Sequence, residues 1–243
     1  MDDSPWNTLP NVQPSRTTLI LAALGLSTIL LSVGLGFWSL AGIPHVQDEL
    51  AYTLQSRIFV GGHRWAPADP AMTGFFWLSK PVSVAAFPPG WPLVLALGEL
   101  VGLPWLVNPL LAGALAPLTF ALGRALQLPE RTALLAAAVI AWSPGVLLLA
   151  ATRMSHTSVL VALLVAAVVV ARRPSTALPW WGAGLALAYV VLARPFDAAL
   201  FGPPLLVLGV VRARRWGLAL LPGLAAVALL FDNAYITGDA TTW

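Results

Sequence analysis

The feature that most limits what this chain can fold into is a stretch of 25 residues, Thr17 to Ala41, without a single charged side chain. About 20 consecutive apolar residues carry a helix across the hydrocarbon of a bilayer. A secretory signal would show a basic leading segment, a shorter apolar core and a small-residue cleavage site. Here Met1 to Arg16 contains Asp2 and Asp3 and no basic cluster, so the run reads as a first transmembrane helix that is retained.

The rest of the chain follows suit. Of its 243 residues 58% are hydrophobic and 9% charged, where a soluble domain carries about 25% charged residues. A surface so poor in polar groups suits lipid, where backbone groups must be satisfied within helices or closed barrels. With no cysteine, disulfides, thiol nucleophiles and cysteine metal sites are excluded. The net charge of +3 reflects few acids rather than a basic tract, so no nucleic-acid partner is expected.

Further spans are predicted near Trp105–Arg124, Thr132–Ala151, Ser155–Ala171, Pro179–Ala193, Phe196–Val211 and Trp216–Phe231. Basic residues between spans favour the cytoplasmic side. Arg16, the pair Arg124 and Arg131, the pair Arg172 and Arg173, and the group Arg212, Arg214 and Arg215 share one side only if a single span lies between Ala41 and Arg124. That makes Pro88–Gly102, "PPGWPLVLALGELVG", a re-entrant or interfacial helix. The expected architecture is an all-α polytopic bundle of about seven spans in five parts: a cytoplasmic start (1–16), a first helix (17–41), an extracytoplasmic loop with amphipathic and re-entrant helices (42–104), a six-helix region (105–232) and an extracytoplasmic end (233–243). Tryptophans near the helix ends, such as Trp38, Trp105 and Trp216, suit interfacial anchoring.

Polar chemistry concentrates in the loop, Ile43 to Phe87, which holds Asp48, Glu49, Arg57, Arg64, Asp69 and Lys80. "QDELAYTLQSRIFVGGHRW" has Leu50, Leu54 and Ile58 at four-residue spacing and ends at Gly61-Gly62, the pattern of a short amphipathic helix. Asp48 stands at its start, where a carboxylate is favoured by free N–H groups and the helix dipole. Asp48, Tyr52 and Gln55 share a face. Local pattern alone serves a capping aspartate as well as a catalytic one. Arg153, His156 and Arg194 fall at helix ends on the loop's side, where snorkelling is the ordinary alternative to ligand binding. Glu99 inside an apolar helix suits a cavity or a partner.

These pieces together resemble the GT-C superfamily of membrane glycosyltransferases, in particular the branch of protein O-mannosyltransferases and aminoarabinose transferases. The resemblance is carried by Asp48-Glu49 with Tyr52, by "SRIFVGGHRW", by "FPPGWPLVLALGELVG", by "MSHTSVLVALLVAA" and "LARPFDAALFGPPLLV", and by "ITGDA" near the end. Two departures stand beside it: Val46 and Gln47 separate His45 from the acidic pair, and Lys80 lies upstream of the Pro-Pro segment rather than next to it.

The resemblance implies an enzyme that moves a sugar from a polyprenyl-phosphate carrier to a glycan, lipid or protein acceptor, at the extracytoplasmic face of a bacterial inner membrane. Asp48 is then the general base, Glu49 orients it or binds the acceptor, and Arg153, His156, Arg194 and Lys80 are candidate ligands of the donor phosphate. No metal and no cofactor are expected. Members of the superfamily continue with further helices, so the resemblance also implies that this chain corresponds to an N-terminal core. Two readings from other classes stay open: a transporter or flippase of lipid-linked substrates, and a non-catalytic relative. A transporter would place polar groups along the bundle interior, whereas the predicted spans hold hardly any.

Overall fold

The computed structural model describes residues 14–67, 76–79 and 82–241. Helices form where the apolar runs predict them. The first is α1, Arg16–Trp38, whose N-cap Ser15 accepts the Thr18 N–H at 3.1 Å. It ends in a turn in which Ala41 and Gly42 take positive φ. The loop helix α2 covers Gln47–Val60 and α3 covers Gly90–Leu100. After a short 3-10 turn at Pro104–Leu106 come α4 (Val107–Gly113) and α5 (Leu115–Ala125), followed by α6 (Glu130–Ala141) and α7 (Pro144–Ala151). The chain closes with α8 (His156–Arg172), α9 (Leu178–Ala193), α10 (Pro195–Leu206) and α11 (Gly217–Thr237).

The structure is predominantly helical, as expected, with one addition: β1 (Ala66–Pro67), β3 (Val82–Ala85) and β2 (Phe76–Ser79) form a small antiparallel sheet in that order within the long loop. Sequence reasoning saw no strands because each run is four residues or shorter, without alternation long enough to register a period of two.

Among the described residues, three helical stretches are long and apolar enough to cross a membrane: Arg16–Trp38, Pro104–Ala125 and Gly217–Thr237. A fourth span is available if α6 and α7, bent by 47° at their junction, act as one. The bend has a covalent cause, since Pro144 has no N–H to continue the ladder of α6. At 17 and 16 residues, α8 and α9 rise about 25 Å, short of the roughly 30 Å of a hydrocarbon core. After Pro203 and Pro204 remove two further donors from α10, the backbone widens into a π-helical stretch, Val207–Arg212. The last helix, α11, runs on to Thr237.

Large apolar side chains lie on the outer surface, among them Leu30, Trp38, Leu135, Val139, Leu185 and Phe231. Such a surface belongs in lipid rather than water, and with the long apolar helices it makes this a membrane protein.

Helix packing is close where glycine permits it. A Cβ on Gly184 of α9 would stand 2.3 Å from the Gly217 carbonyl oxygen, and one on Gly90 of α3 would stand 2.6 Å from the Leu192 carbonyl carbon. Small residues let membrane helices approach in this way. The Gly90 contact seats α3, and with it the end of the long loop, on the last turn of α9.

The helix ends gather into two groups. At one, Thr17 donates to Glu130, joining the starts of α1 and α6, and Arg215 donates to the Ser175 carbonyl at 2.8 Å, joining two turns. Arg124, Arg131, Arg172 and Arg173 stand at or beside the turns between α5 and α6 and between α8 and α9. The opposite end carries the loop helices. There Tyr52, Trp91, Leu95, Val159, Val190 and Ala193 form a buried cluster that binds α2 and α3 to α8 and α9.

Candidate functional site

The acidic pair in α2 is split by helix geometry. Successive residues are about 100° apart around a helix, whereas residues four apart stack. Asp48 therefore keeps company with Tyr52, and Glu49 with Thr53 and Arg57. The two stripes face different neighbours.

Glu49 is buried, with 2% of its surface exposed. One carboxylate oxygen accepts the His45 N–H at 2.8 Å and the other accepts the Arg153 N–H at 2.6 Å. It thereby ties the entry to α2 to the α7–α8 turn, 104 residues further along. The Arg153 carbonyl accepts the Trp91 indole N–H at 2.7 Å, and its guanidinium donates to Thr53 Oγ1 at 3.2 Å. Asn108 donates to the carbonyls of Thr152 and Met154, at 2.8 and 2.7 Å. The turn is thus held from α2, α3 and α4 together. Glu99 lies on the same side, its Oε1 in charge contact with Arg57 Nε at 3.4 Å. Burial pulls the Arg153 guanidinium below its usual range and Arg57 adds to this, while Glu99 and Glu49 oppose.

The Asp48 stripe looks the other way. Asp48 is half-buried. It lies in electrostatic range of Tyr52 and of His156, the first residue of α8. Arg194 and Asp197, from the turn between α9 and α10 and the first turn of α10, act on His156 as well. The Arg194 guanidinium donates to Asp197 and reaches the Ser155 hydroxyl at 3.4 Å. Burial above all raises the Tyr52 phenol from its ordinary 10.0, with Asp48 adding and with Ser155 and Arg194 opposing. Tyr52 therefore keeps its proton near neutral pH and can serve as a donor.

From this polar head an apolar groove of about 400 Å³ runs between α8 and α10. His156 and Asp197 stand at its head, and Leu160, Leu163, Phe201 and Leu205 line its length. His156 to Ala167 along α8 spans about 16 Å. The combination is a charged head over an apolar channel open at the side.

Of the sequence candidates, the structure brings together Asp48, His156 and Arg194. Glu49 and Arg153 meet each other, on the neighbouring face of α2. Lys80 lies outside the described residues. Among those residues no group of three or more His, Asp or Glu side chains is placed to hold a metal ion.

Three residues were given no role from the sequence: Asp197, Ser155 and Asp232. Asp197 had a local signal, standing three residues after Arg194 in "ARPFD". Ser155 had none. The pair of Arg64 with Asp232 joins residues 168 positions apart, and it fastens the end of the loop helix to α11. Gln55, counted on sequence with the Asp48 face, is spent inside the loop: its amide donates to the Arg64 carbonyl at 3.0 Å and its oxygen accepts the Ala85 N–H at 2.9 Å. Comparison with protein-family models, with curated proteins and with solved structures returned no match.

Proposed function

We propose that the chain is a membrane glycosyltransferase of GT-C type, acting on a sugar linked to a polyprenyl phosphate, with Asp48 as general base. In this reading the bundle crosses the membrane seven times, α8, α9 and α10 included. The N-terminus is then cytoplasmic and the long loop faces the extracytoplasmic side of a bacterial inner membrane. The observation that carries it is the apolar groove headed by His156 and Asp197, with half-buried Asp48 and Arg194 in electrostatic range of that histidine. An isoprenoid tail suits the groove's lining, and a phosphate suits its head.

The chemistry needs few groups. A hydroxyl of the acceptor (glycan, lipid or protein) attacks the anomeric carbon of the donor and passes its proton to Asp48 as the new C–O bond forms. The bond from that carbon to the phosphate oxygen breaks, and its electron pair leaves on the polyprenyl phosphate. Arg194 and His156 stabilise the negative charge gathering there, which fixed groups in a water-poor site do efficiently. Attack opposite the leaving group inverts the anomeric centre. Glu49 and Arg153 hold the frame on which Asp48 and His156 are mounted.

Replacing Asp48 with Asn tests the assignment directly. Sugar transfer from a polyprenyl-phosphate donor should fall by at least about a hundredfold while binding of the carrier persists. Transfer at the wild-type rate would remove Asp48 as the base.

A further inference from the structure

The head of the α8–α10 groove has an unusual charge balance for an anion site. The groups acting on His156 are two carboxylates, Asp48 and Asp197, and one guanidinium, Arg194, already engaged by Asp197. With a neutral imidazole these sum to one net negative charge. A phosphodiester would bring a second negative charge into a setting partly shielded from water, where like charges repel strongly.

One group can reverse that balance. His156 Nδ1 is buried and has no hydrogen-bond partner. Its surroundings are polar on the loop side and apolar along the groove. The titratable groups packed on this end of α8 come from three places. Asp48 and Tyr52 come from α2, Tyr189 from α9 (its hydroxyl bonded to Ser158 at 2.6 Å), and Arg194 and Asp197 from the α9–α10 turn and the start of α10. Within the turn that leads into α8, the Arg153 guanidinium donates to Thr53 and its backbone N–H to Glu49. Helices α4 and α7 contain no titratable side chain, and Arg124 of α5 sits at the other end of the bundle.

We propose that His156 receives the phosphate of a lipid phosphodiester as an imidazolium, so that each anion bound takes up one proton from solvent. This rests on the donor reading and adds to it a charge rule for the site: the ligand and a proton arrive together. An imidazole is suited to the task because its ordinary titration lies near neutrality. A lysine in its place would be permanently charged and would pair with Asp48 or Asp197 when no ligand is bound.

The test is equilibrium binding of a radiolabelled polyprenyl methyl phosphodiester, whose single charge does not change in the range used, to the full chain in nanodiscs from about pH 6 to 9. A polyprenol of equal length reports the groove without the charge. Wild-type affinity for the diester should fall by about tenfold per pH unit above the imidazole range, with polyprenol binding flat. His156→Asn should bind the diester weakly and without pH dependence, and His156→Lys, charged throughout, should bind it equally without dependence over this range. Diester binding that is flat in wild type, or a slope that persists in both variants, overturns the proton uptake at His156 while leaving the donor reading intact. No diester binding at any pH overturns both.

Discussion

Replacing Glu49 with Gln should cost the protein folding stability rather than remove a reacting group, and the structure sets the size of the loss. The Glu49 carboxylate receives two backbone N–H donors, from His45 at 2.8 Å and Arg153 at 2.6 Å, at a position 2% exposed. Hydrogen bonds to an ionised group contribute about 1.5–3 kcal/mol each, and a buried donor left unpaired costs about 1–3 kcal/mol. A glutamine keeps one acceptor oxygen and turns an N–H₂ group toward the second donor. One charge-assisted bond is lost and one N–H is stranded, so the expected loss is about 2–4 kcal/mol. Asp48→Asn, at a half-buried position in the neighbouring stripe, should change stability by no more than about 0.5 kcal/mol.

The assay is unfolding of the purified chain in mixed micelles with a rising fraction of denaturing detergent, followed by loss of helical signal, with the three proteins side by side. The two variants should behave in opposite ways. Glu49→Gln unfolds early, whereas Asp48→Asn unfolds with wild type and is defective only in sugar transfer. Glu49→Gln as stable as wild type would refute the bracket between α2 and the α7–α8 turn. A strongly destabilised Asp48→Asn would refute the separation of the two stripes.

Gly90→Ala should loosen α3 from α9 by about 1–3 kcal/mol in the same assay, because its new methyl meets backbone rather than a movable side chain. Gly34→Ala, with nothing near its Cβ position, serves as the control and should be neutral or slightly stabilising. The pair of Arg64 and Asp232 is only partly exposed, at 29% and 28%, so a double-mutant cycle with alanine should give a coupling of about 1 kcal/mol; a coupling near zero would mean the loop is not fastened to α11 there. Since the chain has no cysteine, single cysteines can map the proposed topology. His63→Cys should react with an impermeant thiol reagent on intact cells, and Gln127→Cys should react only after permeabilisation. Labelling of both from outside would overturn the seven-span arrangement.

Helix positions were legible because lipid imposes a simple rule: long apolar runs separated by prolines, glycines and arginines. The count of membrane crossings was not. It depends on whether helices of 16 and 17 residues reach across, and hydropathy does not say how a short helix tilts or how its ends are covered. The loop sheet was hidden for a different reason. Ser83, Val84 and Ala85 are all buried, so β3 lacks the in-and-out alternation by which a half-exposed strand announces itself.

The site divides along the same line. Reading Asp48 and Glu49 as one functional unit follows the linear sequence, in which they are neighbours, but α2 places them about 100° apart. The stripe Glu49, Thr53, Arg57 was available in the four-residue spacing, and its partner across the bundle was not, because Arg153 enters through a backbone N–H that any residue except proline would supply. The same holds for Asn108, whose amide grips two carbonyls of that turn. A side chain that binds backbone leaves no complementary residue type elsewhere in the sequence to betray it. Asp48, His156 and Arg194 stand out in the sequence for the opposite reason. His156 and Arg194 are titratable or charged side chains at the ends of apolar helices, where their presence is costly unless they meet a partner, a ligand or water, and Asp48 opens the amphipathic α2. The two stripes should therefore respond differently to substitution. Variants along the Glu49 stripe should act through the frame and show in stability, and variants along the Asp48 stripe should act on the ligand and show in binding or transfer.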